Sequence, residues 1–114
     1  TFSSMPNFFA MYGPGTNLAH AGSIIFNSEC QINYICSAIE YMLNNDHKVI
    51  RVKAEVEKDY QDKFDSRHNK MVWQDERVSS WYQNSKGKVV TTSPWRLVEY
   101  WNWTNNFNAD EYDF

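Results

Sequence analysis

Apolar residues recur at helical spacing along the stretch that follows Ser23. The positions that carry this spacing are Ile25, Ile32, Ile35, Ile39 and Met42. They are separated by seven, three, four and three residues, which places them on one face of a helix. Ser23 is a suitable N-cap because its hydroxyl can accept a backbone N–H of the first turn. The polar run Asn44-Asn45-Asp46 predicts the end of this long helix, since short polar side chains favour turns.

A shorter apolar stretch precedes this helix. Residues Phe8 to Tyr12 are apolar throughout, which is typical of a strand covered on both faces in a parallel sheet. The turn Gly13-Pro14-Gly15 ends that stretch. The first part of the chain is therefore predicted to run from a strand through a tight turn into a long helix.

The second part of the chain has weaker patterns. The β-branched run at residues 49–52 predicts a short strand, and residues 54–73 predict a surface helix with one docked face. Residues 79–83 and 88–92 predict two strands of a hairpin whose turn ends at Gly87. The tail from Trp95 to Phe114 is aromatic and polar, and its periodicity is weak.

Composition narrows the possible functions. The 114 residues suit one domain, and a net charge of −3 argues against a nucleic-acid partner. No run of 18 apolar residues predicts a membrane span, and no leader resembling a signal peptide is found. Cys30 and Cys36 lie six residues apart on the predicted helix, too far apart for a disulfide, so two free, buried thiols in a reducing compartment are expected. The three histidines are distant from one another in sequence, so no metal site is expected.

The loop from Gly13 to Ser23 carries the chemistry with the clearest physical basis. A strand–turn–helix connection directs unpaired backbone N–H groups and the positive end of a helix dipole toward one point, which suits the polar edge of a cofactor. Thr16 and Asn17 add side chains that can hydrogen-bond a ligand. A purely structural tight connection explains the same residues about equally well. His20, beside the helix start, is interpreted as a structural hydrogen-bonding residue.

Three groups of residues resemble a known family. They are Pro6-Asn7-Phe8-Phe9, the run from Tyr12 to His20 with Ser23-Ile24-Ile25-Phe26, and Ser79-Ser80-Trp81-Tyr82 with Lys86-Gly87-Lys88. Together they resemble the C-terminal region of Baeyer–Villiger flavoprotein monooxygenases, in particular the 4-hydroxyacetophenone monooxygenase-like subgroup. The resemblance is strong over residues 6–43 and looser over residues 49–114. Val78 stands where relatives commonly carry Cys, which leaves the substrate range open.

The resemblance implies an α/β fold that forms the C-terminal part of a flavoprotein with two Rossmann-like dinucleotide-binding domains. Residues 1–48 would belong to the FAD-binding domain, and residues 49–114 would form a C-terminal extension. Thr16, Asn17 and Leu18 would face the isoalloxazine ring of FAD. Trp81 would lie near NADPH and the substrate, whereas Trp73 and Trp95 are interpreted as core residues.

The implied activity belongs to a longer protein. The chain has four glycines and no Gly-x-Gly-x-x-Gly, so it is expected to be the C-terminal part of a cytoplasmic enzyme and to be inactive alone. The whole enzyme would use NADPH, FAD and O₂ to convert a small ketone into an ester or lactone through a C4a-peroxyflavin. Its partners would be the upstream FAD and NADPH domains of the same protein.

Two readings from other classes stay open. All five tryptophans lie between Trp73 and Trp103, so a complete small protein could present an aromatic platform to sugars or flat ligands. An inactive fragment of a paralogue that mediates protein contacts is the third possibility.

Overall fold

The computed structural model describes residues 1–19 and 22–114. His20 and Ala21, and with them the structural role predicted for His20, lie outside the described residues. The described part is a small α/β unit. Its elements in chain order are α1 (Ile24–Asn44), β1 (Arg51–Val52), α2 (Ala54–His68), a 3₁₀ turn (Val72–Gln74), α3 (Leu97–Thr104), a second 3₁₀ turn (Ala109–Glu111) and β2 (Tyr112–Asp113).

The long helix α1 begins and ends where the sequence predicts. The Ser23 hydroxyl accepts the backbone N–H of Phe26 at 3.3 Å, and Asn45 closes the last turn by donating to the Tyr41 carbonyl at 3.2 Å. The apolar face is nevertheless not the buried one. The buried residues of α1 are Asn27, Cys30, Gln31 and Ala38. The residues that point outward include Ile25, Ile32, Cys36, Ile39 and Leu43. Both thiols are free, as predicted, but the prediction that both are buried is wrong for Cys36.

The main apolar cluster lies where the tail of the chain returns to α1. Val52 of β1 pairs with Tyr112 of β2 in an antiparallel two-stranded sheet, and Ala38 of α1 packs against this pair together with Ile50. The Tyr34 and Tyr112 hydroxyls lie 3.0 Å apart and share a hydrogen bond. The short strand predicted at residues 49–52 is confirmed at its second half, whereas its partner in the tail had no sequence signal.

Helix α3 is an element that the weak periodicity of the tail concealed. It packs against α1, and the Gln31 amide donates to the Tyr100 hydroxyl at 2.9 Å. The Glu99 carboxylate accepts the Arg96 backbone N–H at 3.0 Å and so stabilises the start of the helix. Arg67 of α2 forms an ion pair with Glu99 and lies 5.1 Å from the centre of the Trp95 ring. These contacts hold α2 against α3.

Two predicted strand regions differ from the structure. The strand predicted at Phe8–Tyr12 is wrong: no strand forms there, because no neighbouring strand is present among the described residues to share its backbone hydrogen bonds. The predicted hairpin is confirmed only around its turn, where Asn84 donates to Lys88 and Gln83 forms a single bridge with Val89. Residues 79–81 of the predicted first strand stay irregular, because no strand among the described residues pairs with them.

The described part of the chain is elongated and exposes much surface. It measures 52 × 27 × 18 Å, and its radius of gyration is 15.2 Å, against about 13 Å for a compact domain of this length. Its accessible surface is 7557 Å², whereas a compact monomer of this mass exposes about 6,500 Å². The apolar core is therefore spread thinly along the long axis.

The predicted division at residue 48 stays a prediction, and the cluster around Ala38 draws residues from both sides of it. None of the described helices combines the length and the hydropathy that crossing a bilayer requires.

Two glycines with nearly the same backbone conformation offer a matched test of this packing. Gly15 has φ +73°, and a Cβ there would lie 2.7 Å from Phe64 Cε2, whereas Gly87 has φ +72° and open space around it. We expect Gly87→Ala to cost about 1–2 kcal/mol of unfolding free energy through the left-handed backbone alone. Gly15→Ala should cost about 1–3 kcal/mol more, because the added methyl overpacks against Phe64.

Urea unfolding of both variants, compared at equal slope, measures the difference. Equal losses in the two variants would contradict the close approach of the Gly15 backbone to Phe64.

Candidate functional site

The turn loop, residues 13–18, is held by a distant segment of the chain, residues 89–93. Gly15 N–H donates to the Val90 carbonyl at 3.0 Å, and Asn17 N–H donates to the Thr91 carbonyl at 3.0 Å. Ser93 N–H returns a bond to the Asn17 carbonyl at 2.8 Å, so that Asn17 and Thr92 form a parallel bridge. The loop is therefore one edge of a small sheet-like layer.

This pairing decides which backbone groups of the turn loop stay available. At the bridge between Asn17 and Thr92 the loop is extended, and successive residues of extended backbone direct their N–H groups to opposite sides. Gly15 and Asn17 use theirs on the 89–93 segment, and within the described residues the N–H groups of Thr16 and Leu18 meet no acceptor. The Thr16 carbonyl accepts the side-chain amide of Asn27 from α1 at 3.2 Å. The open edge of the loop therefore lies beside the first turns of α1.

The side chains of the turn loop are partly engaged within the loop itself. The Thr16 hydroxyl donates to the Gly13 carbonyl at 2.6 Å, and Asn17 Oδ1 accepts the Tyr12 hydroxyl. Both side chains stay half-buried rather than enclosed. The Asn17 amide nitrogen forms no hydrogen bond with the described residues, so it can donate to a ligand.

Leu18 differs from its two neighbours. Its side chain and that of Leu97 border the same space at Gly22, where an added Cβ would lie 3.2 Å from Leu18 Cδ1 and 2.8 Å from Leu97 Cδ1. Leu18 therefore offers its backbone to the open edge, while its side chain lies close to the start of α3.

The helix dipole dominates the local potential at the N-terminus of α1. Its first turn contains no charged residue, and the Ser23 hydroxyl satisfies one of the free N–H groups. The remaining N–H groups carry the positive end of the helix dipole, which stabilises nearby negative charge by about 0.3–1 kcal/mol.

Trp81 lies on the same layer as the turn loop but not next to it. The Tyr82 carbonyl accepts the Val90 N–H at 3.1 Å, so Val90 lies between Tyr82 and Gly15. Two strand spacings, about 10 Å, therefore separate the two outer segments. Trp81 is 72% exposed, and its ring packs on the Tyr82 ring with 4.4 Å between the centroids. Among the described residues, no hydrogen bond or ring contact joins Trp81 to Thr16, Asn17 or Leu18.

His68 of α2 contacts the 89–93 segment through a hydrogen bond. The sequence did not identify it as a residue of the site. It is 2% exposed, and its Nε2 lies 2.9 Å from the Thr92 carbonyl. Because a carbonyl only accepts, Nε2 carries the hydrogen and Nδ1 is left without a partner among the described residues. Burial lowers the pKa of His68, so the neutral ring is favoured. The only sequence signal was its place four residues after Phe64 on the helical stripe.

A shallow groove of about 300 Å³ opens beside the turn loop. Its walls include Pro14, Gly15, Tyr60, Phe64 and Lys88, and the Lys88 ammonium is paired with Asp65 at 2.8 Å. The part of the chain that the structure describes holds no group of three His, Cys, Asp or Glu side chains placed to bind a metal ion.

The other tryptophans divide between core and surface. Trp95 is 4% exposed and donates its indole N–H to the Tyr60 hydroxyl at 3.1 Å, which confirms it as a core residue. Trp73 is half-buried and packs edge-on against Tyr82. Trp101 and Trp103 are both exposed on α3.

Comparison with known proteins finds monooxygenases. The chain is 38% identical over 110 residues to a Sinorhizobium fredii protein named uncharacterized monooxygenase y4iD, with 96% of this chain and 17% of the relative covered. It is 30% identical over 104 residues to the FAD-binding monooxygenase ktnD of Aspergillus niger, covering 88% of this chain and 17% of the relative. A Baeyer–Villiger monooxygenase of Pseudomonas aeruginosa is 29% identical over 113 residues, covering 98% and 21%.

The chain thus spans about a fifth of the length of the curated relatives it matches. No protein-family model matches the chain. No solved structure matches it either.

The buried His68 predicts a pH dependence of stability. Its pKa is lowered in the folded protein, whereas in the unfolded chain the ring titrates near about 6.5. The unfolded state therefore binds more protons below that pH. The contribution of His68 is complete above about pH 6.5 and is lost as the pH falls toward its folded pKa.

Urea unfolding from about pH 8 down to about pH 5 should show this loss, and His68→Gln should flatten it while lowering stability at the upper end. His47→Gln, which leaves Thr92 untouched, should keep the slope. A slope that survives His68→Gln would show that other groups cause the pH dependence.

Proposed function

We propose that this chain is the C-terminal part of an FAD- and NADPH-dependent Baeyer–Villiger monooxygenase of the 4-hydroxyacetophenone monooxygenase-like subgroup. The whole enzyme would convert a ketone, O₂, NADPH and a proton into an ester or lactone, NADP⁺ and water. The names of the relatives support the monooxygenase class, and one of them is named FAD-binding. The observation that carries the proposal is the open edge of the turn loop, fixed by its pairing with residues 89–93.

The groups on this edge fit the polar rim of a flavin. The ring system presents carbonyl oxygens and gains negative charge on reduction, so it needs N–H donors and positive potential. Thr16 N–H, Leu18 N–H and the Asn17 amide supply the donors, and the N-terminus of α1 supplies the potential. When bound, FAD would supply the activation of O₂ that the side chains of this chain cannot perform.

Trp81 is assigned to the NADPH and substrate side. Its indole is exposed and carries one N–H donor, which suits a ribose or ketone oxygen. Its place two segments away from the turn loop would allow it to act on a different ligand from the one that the loop holds.

The chain alone is proposed to be inactive. It lacks the Gly-x-Gly-x-x-Gly fingerprints that hold dinucleotide pyrophosphates, so the upstream FAD and NADPH domains of a cytoplasmic enzyme are its proposed partners. FAD titrated into the isolated chain should bind weakly or not at all. Tight stoichiometric binding would contradict this division of labour.

A chimera tests the function directly. In the Pseudomonas aeruginosa relative, the segment that aligns with this chain is replaced by this chain, and bound flavin and ketone-dependent NADPH oxidation are measured. We expect flavin binding and turnover to be retained. In this chimera Asn17→Ala should lower turnover by about tenfold, the effect of losing one hydrogen bond to a charged group.

Asn102→Ala, on the exposed face of α3, is the matched control and should leave turnover unchanged. A chimera that folds and carries no flavin would overturn the proposal. Equal turnover of the Asn17 variant and the parent would remove Asn17 from the site.

The exposure of Trp81, Trp101 and Trp103 also fits an aromatic binding module without enzymatic activity. If Trp81, Trp101 and Trp103 stay exposed in the assembled enzyme, iodide should quench most of the tryptophan fluorescence of the chimera. If they become buried, iodide should quench little of it. Strong quenching together with absent turnover would favour the binding module.

A further inference from the structure

The backbone around Thr92 is held from two sides. On one side the Thr91 carbonyl and the Ser93 N–H pair with Asn17, at 3.0 and 2.8 Å. Carbonyl groups alternate sides along an extended chain, so the Thr92 carbonyl faces away from the turn loop, and there His68 Nε2 lies 2.9 Å from it. The residue that bridges Asn17 is therefore the same residue that His68 holds.

This hydrogen bond is made out of reach of solvent. Thr92 and His68 are both buried. Among the described residues, no other group donates to the Thr92 carbonyl. A buried carbonyl without a partner is costly, because water satisfies it in the unfolded chain. The bond from His68 therefore stabilises the buried, extended conformation in which Thr92 pairs with the turn loop.

Helix α2 contacts both partners of this pairing. Phe64, one helical turn before His68, packs so closely on the turn loop that a Cβ at Gly15 would lie 2.7 Å from its ring. The Phe64 and His68 rings lie 4.5 Å apart, centroid to centroid. The main apolar cluster around Ala38 contains neither of them. Releasing these contacts would therefore leave that cluster intact.

The charged groups near His68 largely cancel. Asp65 of α2 and Lys88 are paired with each other at 2.8 Å, and their charges act on the ring in opposite directions. Neither the turn loop nor its partner segment contains a charged side chain. The neighbouring Arg67 is paired with Glu99. Burial therefore dominates, and it lowers the pKa of the His68 ring.

A proton taken up by His68 would have to bind at Nδ1. This atom is buried and has no hydrogen-bond partner among the described residues. The protonated ring would thus carry a buried charge and a donor without an acceptor, which is unfavourable in place. Proton binding consequently favours conformations in which the ring leaves Thr92 and reaches water.

We propose that His68 is a positioning residue for the open edge of the turn loop, which it holds through Thr92 and Asn17, and that protonation of its ring releases the loop. Above about pH 6.5 the ring is neutral in both the held and the released state, so its contribution is complete. The contribution is lost as the pH falls toward the pKa of the held ring. This inference rests on the proposed function only for the ligand that the edge meets.

Native-state hydrogen exchange of this chain at low urea measures the release. Between about pH 8 and about pH 5.5, the opening constant of the Gly15, Asn17 and Ser93 amides, corrected for intrinsic rates, should rise about tenfold. The reason is that a released ring with a pKa of about 6.5 is then mostly protonated. Opening of these amides should depend less on urea than that of the Ala38 amide, since releasing the loop exposes less surface than unfolding.

Two variants separate the hydrogen bond from the titration. His68→Gln keeps an N–H donor for the Thr92 carbonyl and cannot take up a proton, so it should retain most of the protection at about pH 8 and lose the pH dependence. His68→Leu leaves that carbonyl buried without a partner, so it should raise the opening constant about tenfold at about pH 8 and also lose the pH dependence. The control His47→Gln, at a ring that stacks on Phe114, should match the parent.

In the chimera with the Pseudomonas aeruginosa relative, the same variants test the link to the cofactor edge. The N–H groups that would stabilise the reduced flavin should be displaced in His68→Leu and kept in His68→Gln. We therefore expect the midpoint potential of the bound flavin to fall by about 30 mV in His68→Leu, the equivalent of a tenfold weaker preference for the reduced ring. In His68→Gln it should stay near that of the parent.

The outcomes separate this inference from the proposed function. The expected exchange pattern, together with a folded chimera that carries no flavin, would keep His68 as the residue that positions the loop and refute the proposed function. Loop amides that open with the same free energy and urea slope as Ala38 would overturn the inference, because His68 would then support only overall stability. A pH dependence that survives in His68→Gln would overturn it as well.

A flavin-loaded chimera whose potential is unchanged in His68→Leu would overturn the positioning of the cofactor edge. If His68→Leu fails to fold, the comparison of the parent with His68→Gln still decides.

Discussion

The hydrogen bonds between the turn loop, residues 13–18, and the 89–93 segment are the constraint on which the candidate site depends. They join positions about 75 residues apart, and three bonds at about 1 kcal/mol each cannot alone offset the entropy of that closure. The burial of Val89, Thr92 and Trp95, with His68 beneath them, supplies the rest. Because one edge of the loop is used in this pairing, the opposite edge is left to meet a ligand. The geometry of the site thus depends on tertiary packing and not on the Gly-Pro-Gly turn alone.

Hydrogen bonds in the interior also explain why α1 has a partly polar buried face and an apolar exposed face. Asn27 and Gln31 on its inner face are buried because each forms a specific hydrogen bond, to Thr16 and Tyr100 respectively. Polar residues are stable inside when their groups are paired, so the inner face needs few large apolar side chains. The isoleucines are then free for the outer face, and the elongated shape and thin core of the described chain follow from that division.

Local sequence patterns could predict the elements whose start and end residues are themselves recognisable in the sequence. The bounds of α1 followed from Ser23 and the Asn44–Asp46 run, and the turn before Lys88 followed from Gly87. Long-range pairing could not be predicted in this way. Phe8–Tyr12 has the composition of a strand, but a strand forms only when a neighbour accepts its hydrogen bonds. Val52 pairs with Tyr112, and His68 hydrogen-bonds Thr92. The sequence around each of these residues contains no pattern that identifies its distant partner.

Native-state hydrogen exchange of the turn loop tests the central claim most directly. The pairing predicts that the amides of Gly15, Asn17 and Ser93 are protected to a similar degree, because one opening event releases all three. The amides of Thr16 and Leu18, on the open edge, should exchange far faster than these. If Gly15 and Asn17 exchange as fast as Thr16, the loop is not held by the 89–93 segment and the proposed cofactor edge has no fixed geometry.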